Sequence, residues 1–288
     1  MSDYPPPGAT PPGEPPPPPP PPGDGGGPGG TLPQRSLGQI LSAAFDIYTK
    51  NAGQLLLIVA IIVVPLSIIS YLLTDVVFER GTEIVVVAGQ RVEVLESRSF
   101  FLLILVVLIG AAISVIITAL LQAALLRAAA LASIGDSVDI DQSYRFGLSK
   151  FASVLWVSIL VGLSVAIGFL LLIIPGIILL GFLAVSVPAV VVEDVRGTNA
   201  MRRSWDLVSG QFWHALGVVV VAAIITGIVG GLIGAIGGSN RFLGALFTAI
   251  GQVVVAPYSA LVTILLYVDL RTRKENLTET ELRAQLAA

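Results

Sequence analysis

The chain holds no cysteine and one histidine, His214, among 288 residues, and only 12% of them are charged. Without cysteine there is no disulfide, no thiolate metal site and no cysteine nucleophile. A single histidine rules out metal motifs and acid–base sites that need two. A Ser-His-Asp triad would have to use His214, yet no G-x-S-x-G elbow accompanies it. Charge scarcity is more telling still. Soluble domains carry roughly 25% charged residues; half that share, with long apolar runs and a mean hydropathy of +0.89, places the chain in lipid. A net charge of -3 gives no reason to expect a nucleic-acid partner. No cofactor and no metal site are expected.

The acidic residues Asp136, Asp139 and Asp141 lie close together but lack the calcium-loop pattern. They read as a solvated loop that caps the next helix. His214 beside Trp213 reads as an anchor at the membrane surface rather than a catalytic group. The chain is therefore expected not to be an enzyme.

What is present is organised around one unit. Glu193-Asp194-Val195-Arg196-Gly197 leads into an amphipathic stretch, Thr198 to Gln211, and Phe212-Trp213-His214 then opens a long apolar run. Weaker versions precede the runs near Gln54 and Phe151. In the first, Ser36-Leu37-Gly38-Gln39 forms a capping box, and Leu37, Ile40, Leu41, Ala44, Phe45 and Tyr48 share one helical face. Asn51 and Gln211 hold matching places before their spans. Three such units form a weak internal repeat.

The predicted fold is an all-α integral membrane protein. Six transmembrane helices form three hairpins, each preceded by an amphipathic interfacial helix. A span needs about 20 residues at 1.5 Å rise to cross ~30 Å of hydrocarbon. The runs are 54–74, 100–121 with an extension to 133, 152–174, 176–192, 212–236 and 242–268. Residues 1–34 are a disordered Pro/Gly-rich tail, and 275–288 are a polar C-terminal tail around the membrane domain 35–274. The proline run Pro15 to Pro22 favours extended polyproline II, a form that docks on aromatic grooves of partner proteins. It has neither the basic nor the apolar region of a signal peptide. Between the first two spans, Glu83–Val87 and Arg91–Leu95 flank Ala88-Gly89-Gln90 and read as a small extracytoplasmic β-hairpin. Pro175-Gly176 reads as the turn of the middle hairpin. Of 16 Lys and Arg residues, only Arg80, Arg91, Arg98 and Arg241 fall on one side. The positive-inside rule then puts both termini in the cytosol of a plasma-membrane protein.

Inside the spans Gln122 and Gln252 are the strongly polar side chains. Either they bind a ligand or they make interhelical hydrogen bonds. The scarcity of intramembrane ionisable groups weighs against proton coupling. Gly230, Gly234 and Gly238 follow Thr226 at four-residue spacing and read as a packing seam, as do Ser158, Gly162 and Ala166. Pro65, Pro188 and Pro257 are each expected to kink a span. Arg196, Arg202 and Arg203, beside Trp205 and Trp213, either contact anionic lipid or merely follow the positive-inside rule.

Several of these pieces combine: Leu37 to Tyr48 with Asn51, Ile174-Pro175-Gly176, Val192 through Leu207, and Tyr267-Val268-Asp269-Leu270-Arg271-Thr272-Arg273. Together they resemble the bacterial membrane proteins labelled "glycerophosphoryl diester phosphodiesterase membrane domain", over about Arg35 to Glu279. The label comes from proteins in which such a region is fused to a soluble hydrolase barrel with paired histidines and metal-binding carboxylates. This chain has one histidine and no such barrel, so the resemblance implies the membrane fold and not the activity.

The functional expectation is a non-catalytic membrane scaffold that organises a protein partner through its spans and proline tail. The alternative is a transporter or lipid-handling protein binding its ligand between the repeats. A close-packed centre favours the first; a cavity lined by Gln122 or Gln252 favours the second.

Overall fold

The computed structural model describes residues 31–87, 90–95 and 97–287, so the proline run lies outside the described residues. Ten helices and two strands follow in order. They are α1 (Leu37–Lys50), α2 (Ala52–Gly81), β1 (Thr82–Val87), β2 (Gln90–Leu95), α3 (Ser97–Ser133) and α4 (Ile140–Leu171), then α5 (Ile173–Phe182), α6 (Ser186–Glu193), α7 (Thr198–Val208), α8 (Phe212–Ala235), α9 (Arg241–Glu275) and α10 (Glu279–Ala287). Six helical stretches are long and apolar enough to span a bilayer, with α5 and α6 sharing the fourth. The chain is a multi-pass α-helical membrane protein.

Side-chain caps mark three of the helix starts. Ser36 and Gln39 form the capping box on α1, and Asp139 accepts from the Gln142 amide to cap α4. Asn240 does the same for α9 through the Leu243 amide. Each satisfies a backbone N–H that the helix cannot. Asn51 and Gln211 do hold matching places, since their carbonyls accept the first helical bonds of α2 and α8, from Leu55 and Ala215. Between Glu193 and α7 the chain turns through Asp194, at φ 54°, and Gly197, at φ 60° and ψ -138°. Only glycine adopts the second conformation readily.

The third unit differs from the other two. Ile140–Leu171 is one continuous helix, so the amphipathic start of α4 runs into its span without a break. The middle hairpin turns at Leu172, which is extended at φ -163° and ψ 153°, and not at Pro175-Gly176. Pro175 sits in the first turn of α5, where a missing N–H costs nothing. Gly176 instead lets Phe169 lie where a Cβ would stand. Pro188 likewise falls in the first turn of α6 after a break at Leu183–Val185, so only Pro65 and Pro257 lie inside a helix, α2 and α9. Ser204 of α7 bridges that break: its hydroxyl donates to the Phe182 carbonyl at 2.7 Å and accepts the Val185 amide at 3.2 Å.

Glycine packing is also redistributed. Gly251 of α9 faces the Gly230 carbonyl so closely that an added Cβ would stand 3.2 Å from it, and Gly234 faces Thr248. Gly238 is not part of this seam; it lies beyond α8 at φ 57° and serves the turn into α9. In α4 the close approaches are at Gly147, against Ala124, and Gly168, against Gly176; Gly162 meets nothing. Phe45 of α1 points outward, away from the buried Ile40 and Ala44.

Helix α9 is the centre, buried from Ala260 through Thr272 apart from Thr263. Its charged end gathers both chain ends. Thr31 pairs with Thr278, and the Leu32 amide donates to the Leu277 carbonyl, so ordered chain begins before residue 35. Within the polar C-terminal stretch 275–288, Glu279–Ala287 form helix α10, with Leu282 and Leu286 buried. At the other end of the bundle β1 and β2 pair antiparallel, Val87 opposite Gln90; Ala88 and Gly89 lie outside the described residues. Leu282→Ala is expected to cost about 2–4 kcal/mol, the range for emptying a buried leucine site. Thermal unfolding in detergent checks it, with a clear fall in midpoint expected.

Candidate functional site

Two features stand out: a network of buried charge at one end of the bundle and a cavity nearer the other. The network is built by the end of α9. Tyr267, Arg271 and Glu275 recur at four-residue spacing on one face; Asp269 and Arg273 share another, roughly opposite.

On the first face, Arg271 Nε lies 3.0 Å from Glu275 and 3.4 Å from Glu193. Arg203 of α7 joins the same two carboxylates, at 2.8 Å from Glu193 Oε2 and 2.5 Å from Glu275 Oε1. The Tyr267 hydroxyl donates to Glu193. Arg271 also reaches Gln285 and Glu281, which ties α10 to the cluster. Two guanidiniums thus face two carboxylates in a partly dry setting, and hydrogen bonds to Glu275 and Glu193 hold the Arg203 guanidinium protonated well above its usual range.

On the second face Asp269, 1% exposed, accepts from Arg273 Nε at 2.7 Å and from the Arg35 amide at 2.6 Å, and His214 Nε2 lies 3.0 Å away. Arg273 also donates to the Arg35 carbonyl at 2.6 Å. A buried carboxylate with several donors is the condition under which its charge is tolerable. His214 is thus a structural partner of Asp269.

The cavity lies among α2, α3 and α9 and measures about 900 Å³. Hydroxyls of Ser67, Ser70, Ser114, Thr118 and Thr248 and the Gln252 amide line it, among Ile62, Leu66 and Ile117. Tyr71 and Arg241 stand at its outer part, and among the described residues it has no carboxylate lining. Pro65 and Pro257 sit directly beside lining residues, Leu66 and Ala256. Towards the charged end the bundle closes: Leu55, Ile58, Val59, Ala123, Leu261 and Leu265 are buried there. Tyrosine hydroxyls tie this seal together, Tyr48 to the Val254 carbonyl at 3.2 Å and Tyr144 to that of Ile58.

The two glutamines part company. Gln122 accepts from Ser158 at 3.2 Å across α3 and α4, an interhelical bond. Gln252 lines the cavity, and no hydrogen bond to its amide is present among the described residues. Of the surface arginines, Arg203 is held in the buried network, Arg196 pairs with Asp194 at 3.2 Å, and Arg202 is exposed. Trp205 stacks on Phe182 with ring centres 4.0 Å apart, and Trp213 is 79% exposed. The network was not legible in the sequence because, apart from the i,i+4 pairs within α9, its members are 10 to 238 positions apart. The alternation of Tyr267, Asp269, Arg271 and Arg273 was its one local signal. The lining hydroxyls left none, since serine and threonine in a helix ordinarily bond their own backbone, as Ser67 does to Val63.

No family model matches the chain, no curated protein matches it, and no solved structure is similar to it. The class set by the fold is that of multi-pass α-helical membrane proteins, with six candidate spans among the described residues.

Arg203→Ala leaves Arg271 as the one guanidinium facing both Glu193 and Glu275 and is expected to destabilise by roughly 2 kcal/mol, less than the ~3–5 of a fully buried pair because the site keeps some water and a second cation. Arg202→Ala at the exposed neighbour should change little; paired thermal melts check both. A second outcome concerns pH. Hydrogen bonds from Lys150 and then Arg196 hold the Asp194 carboxyl below its ordinary value. A depressed folded-state pKa adds stability that is present above the unfolded value, about 3.9, and is lost as pH falls through the folded one. Asp194→Asn, which keeps a residue tolerant of φ 54°, should therefore lower the unfolding temperature near neutral pH, converge on the parent in acid, and so flatten the acid limb of unfolding temperature against pH.

Proposed function

We propose that the protein is a ligand-binding membrane protein that handles an amphiphile, such as a lipid or small lipophilic molecule, in the cavity among α2, α3 and α9. The carrying observation is the cavity itself, with Gln252 and five hydroxyls set in an apolar wall at span depth. Its size falls within the ~300–1,000 Å³ of small-molecule sites, which combine apolar walls with a few placed polar groups. Unbonded amide groups at this depth are costly in hydrocarbon and are satisfied by a ligand's polar head. An acyl chain or apolar body then lies along Ile62, Leu66 and Ile117. A lining with no carboxylate among the described residues, and Arg241 at its outer part, supports binding without proton coupling.

The cavity lies away from the charged end, where Arg35, Arg203, Arg271 and Arg273 cluster. On the positive-inside rule that end is cytosolic, both termini with it, and the ligand enters from the outer half of a plasma membrane. The amphipathic α1 and α7 then lie at the cytosolic interface, and the β1–β2 pair caps the outer side. No catalytic group is assigned. A scaffold role resting on the proline tail draws on residues outside those described and has no geometric support of this kind.

Filling the cavity tests the reading. Ser114→Trp should lower by tenfold or more the lipid retained after delipidation in nanodiscs of phosphatidylethanolamine and phosphatidylglycerol, counted by native mass spectrometry. Gln252→Leu should lower it less. An empty parent protein, or retention that ignores Ser114→Trp, would sink the proposal.

A further inference from the structure

At the charged end most of the part-buried cations are matched with acids among the described residues, and Arg127 is not. Lys150 lies 2.8 Å from Asp194, and Arg203, Arg271 and Arg273 have the carboxylates described above. Arg127 has none among the described residues. Its guanidinium carbon sits 4.2 Å from the centre of the Phe146 ring, and its Nε is shut off from solvent without a hydrogen-bond partner. The close approach of α3 and α4 at Ala124 and Gly147 presses it there. The Lys150 ammonium lies 5.8 Å from the same ring. Lys150 shares Asp194 with Arg196 and Arg127 adds a charge with no acid, so the cations over that ring are not fully compensated.

An unpaired guanidinium of this kind is costly when half buried, and a phosphate is the group its fork matches best. Arg127 lies in the last two turns of α3, near the end of the apolar stretch Leu108–Ser133, where a spanning helix approaches the headgroups. Exposed Trp156, whose ring lies beside Gly197, adds an aromatic surface at the same level. We propose that Arg127, with Lys150 and Phe146 behind it, binds the phosphate of an anionic phospholipid of the leaflet at the charged end. This site is separate from the cavity and lies on α3 and α4 rather than on the α7 arginines. Arg203 is held by its two carboxylates, whereas Arg127 has charge to spare.

The test uses the full chain in phosphatidylcholine nanodiscs with a minor share of phosphatidylglycerol. Native mass spectrometry should find phosphatidylglycerol retained in preference to phosphatidylcholine. Arg127→Gln should reduce that preference about fivefold, the effect of one basic residue at an anionic surface. Lys50→Gln, an exposed cation at the same end, should leave it alone. Equal preference in Arg127→Gln and parent overturns the site. Displacement of the lipid by millimolar inorganic phosphate overturns the lipid source in favour of a soluble anion. Because Arg127→Gln also removes packing against Phe146, the unaltered protein supplies a second readout. A phosphatidylglycerol with a photoreactive headgroup should cross-link to α3 near Arg127 or to the start of α4. Cross-links confined to other segments overturn the proposal.

Discussion

The structure depends on burying charge at the end of a membrane helix without leaving any of it alone. Helix α9 finishes with Tyr267, Asp269, Arg271, Arg273 and Glu275, and the rest of the charged end is arranged to answer those groups. Glu193 arrives from α6, Arg203 from α7, His214 from α8, the Arg35 backbone from the segment before α1, and Gln285 from α10. Each comes from a different element, so losing one weakens the compensation of a buried charge whose desolvation is costly. Burial of this kind does not make a fold very stable. It penalises arrangements in which the partners fail to meet, and here it holds five helices and the N-terminal segment in one place.

The two ends of the bundle have opposite characters as a result. Near the network the helices are close, the side chains small or branched, and tyrosine hydroxyls cross from helix to helix. Further along α9, beyond Pro257, the helices α2, α3 and α9 leave room. Proline there removes a backbone hydrogen bond and prevents close ridge-into-groove packing. The bundle is therefore closed near the network and open further along α9. The glycine contact between Gly230 and Gly251 keeps α8 tight against α9 on the far side.

Much of the architecture was legible along the chain. Apolar runs longer than a bilayer needs leave few alternatives to spanning helices, and the caps at Ser36 and Asp139 act within three residues. Breaks were harder to place. Pro175-Gly176 has the look of a turn, but proline in a first turn is as comfortable as proline outside a helix, and Leu172 takes the bend. The continuous α4 was missed for a related reason. An amphipathic face predicts which side is buried and says nothing about whether a helix stops before the next segment. The apparent tail after Glu275 is polar by composition, yet Leu277, Leu282 and Leu286 suffice to dock a short helix on the bundle.

The sequence by itself determined the solvent, the number of crossings, the side on which positive charge gathers and the absence of cysteine or paired-histidine chemistry. These follow from composition and from periods of a few residues. Tertiary structure decided which polar groups meet. Gln122 and Gln252 are the same residue type in similar apolar surroundings, yet one bonds Ser158 and the other lines a cavity. Arg203 and Arg127 are both arginines near a membrane surface, yet one is held between carboxylates and the other rests on an aromatic ring. Such pairings join residues far apart along the chain, and only the packed helices bring the partners within hydrogen-bonding distance.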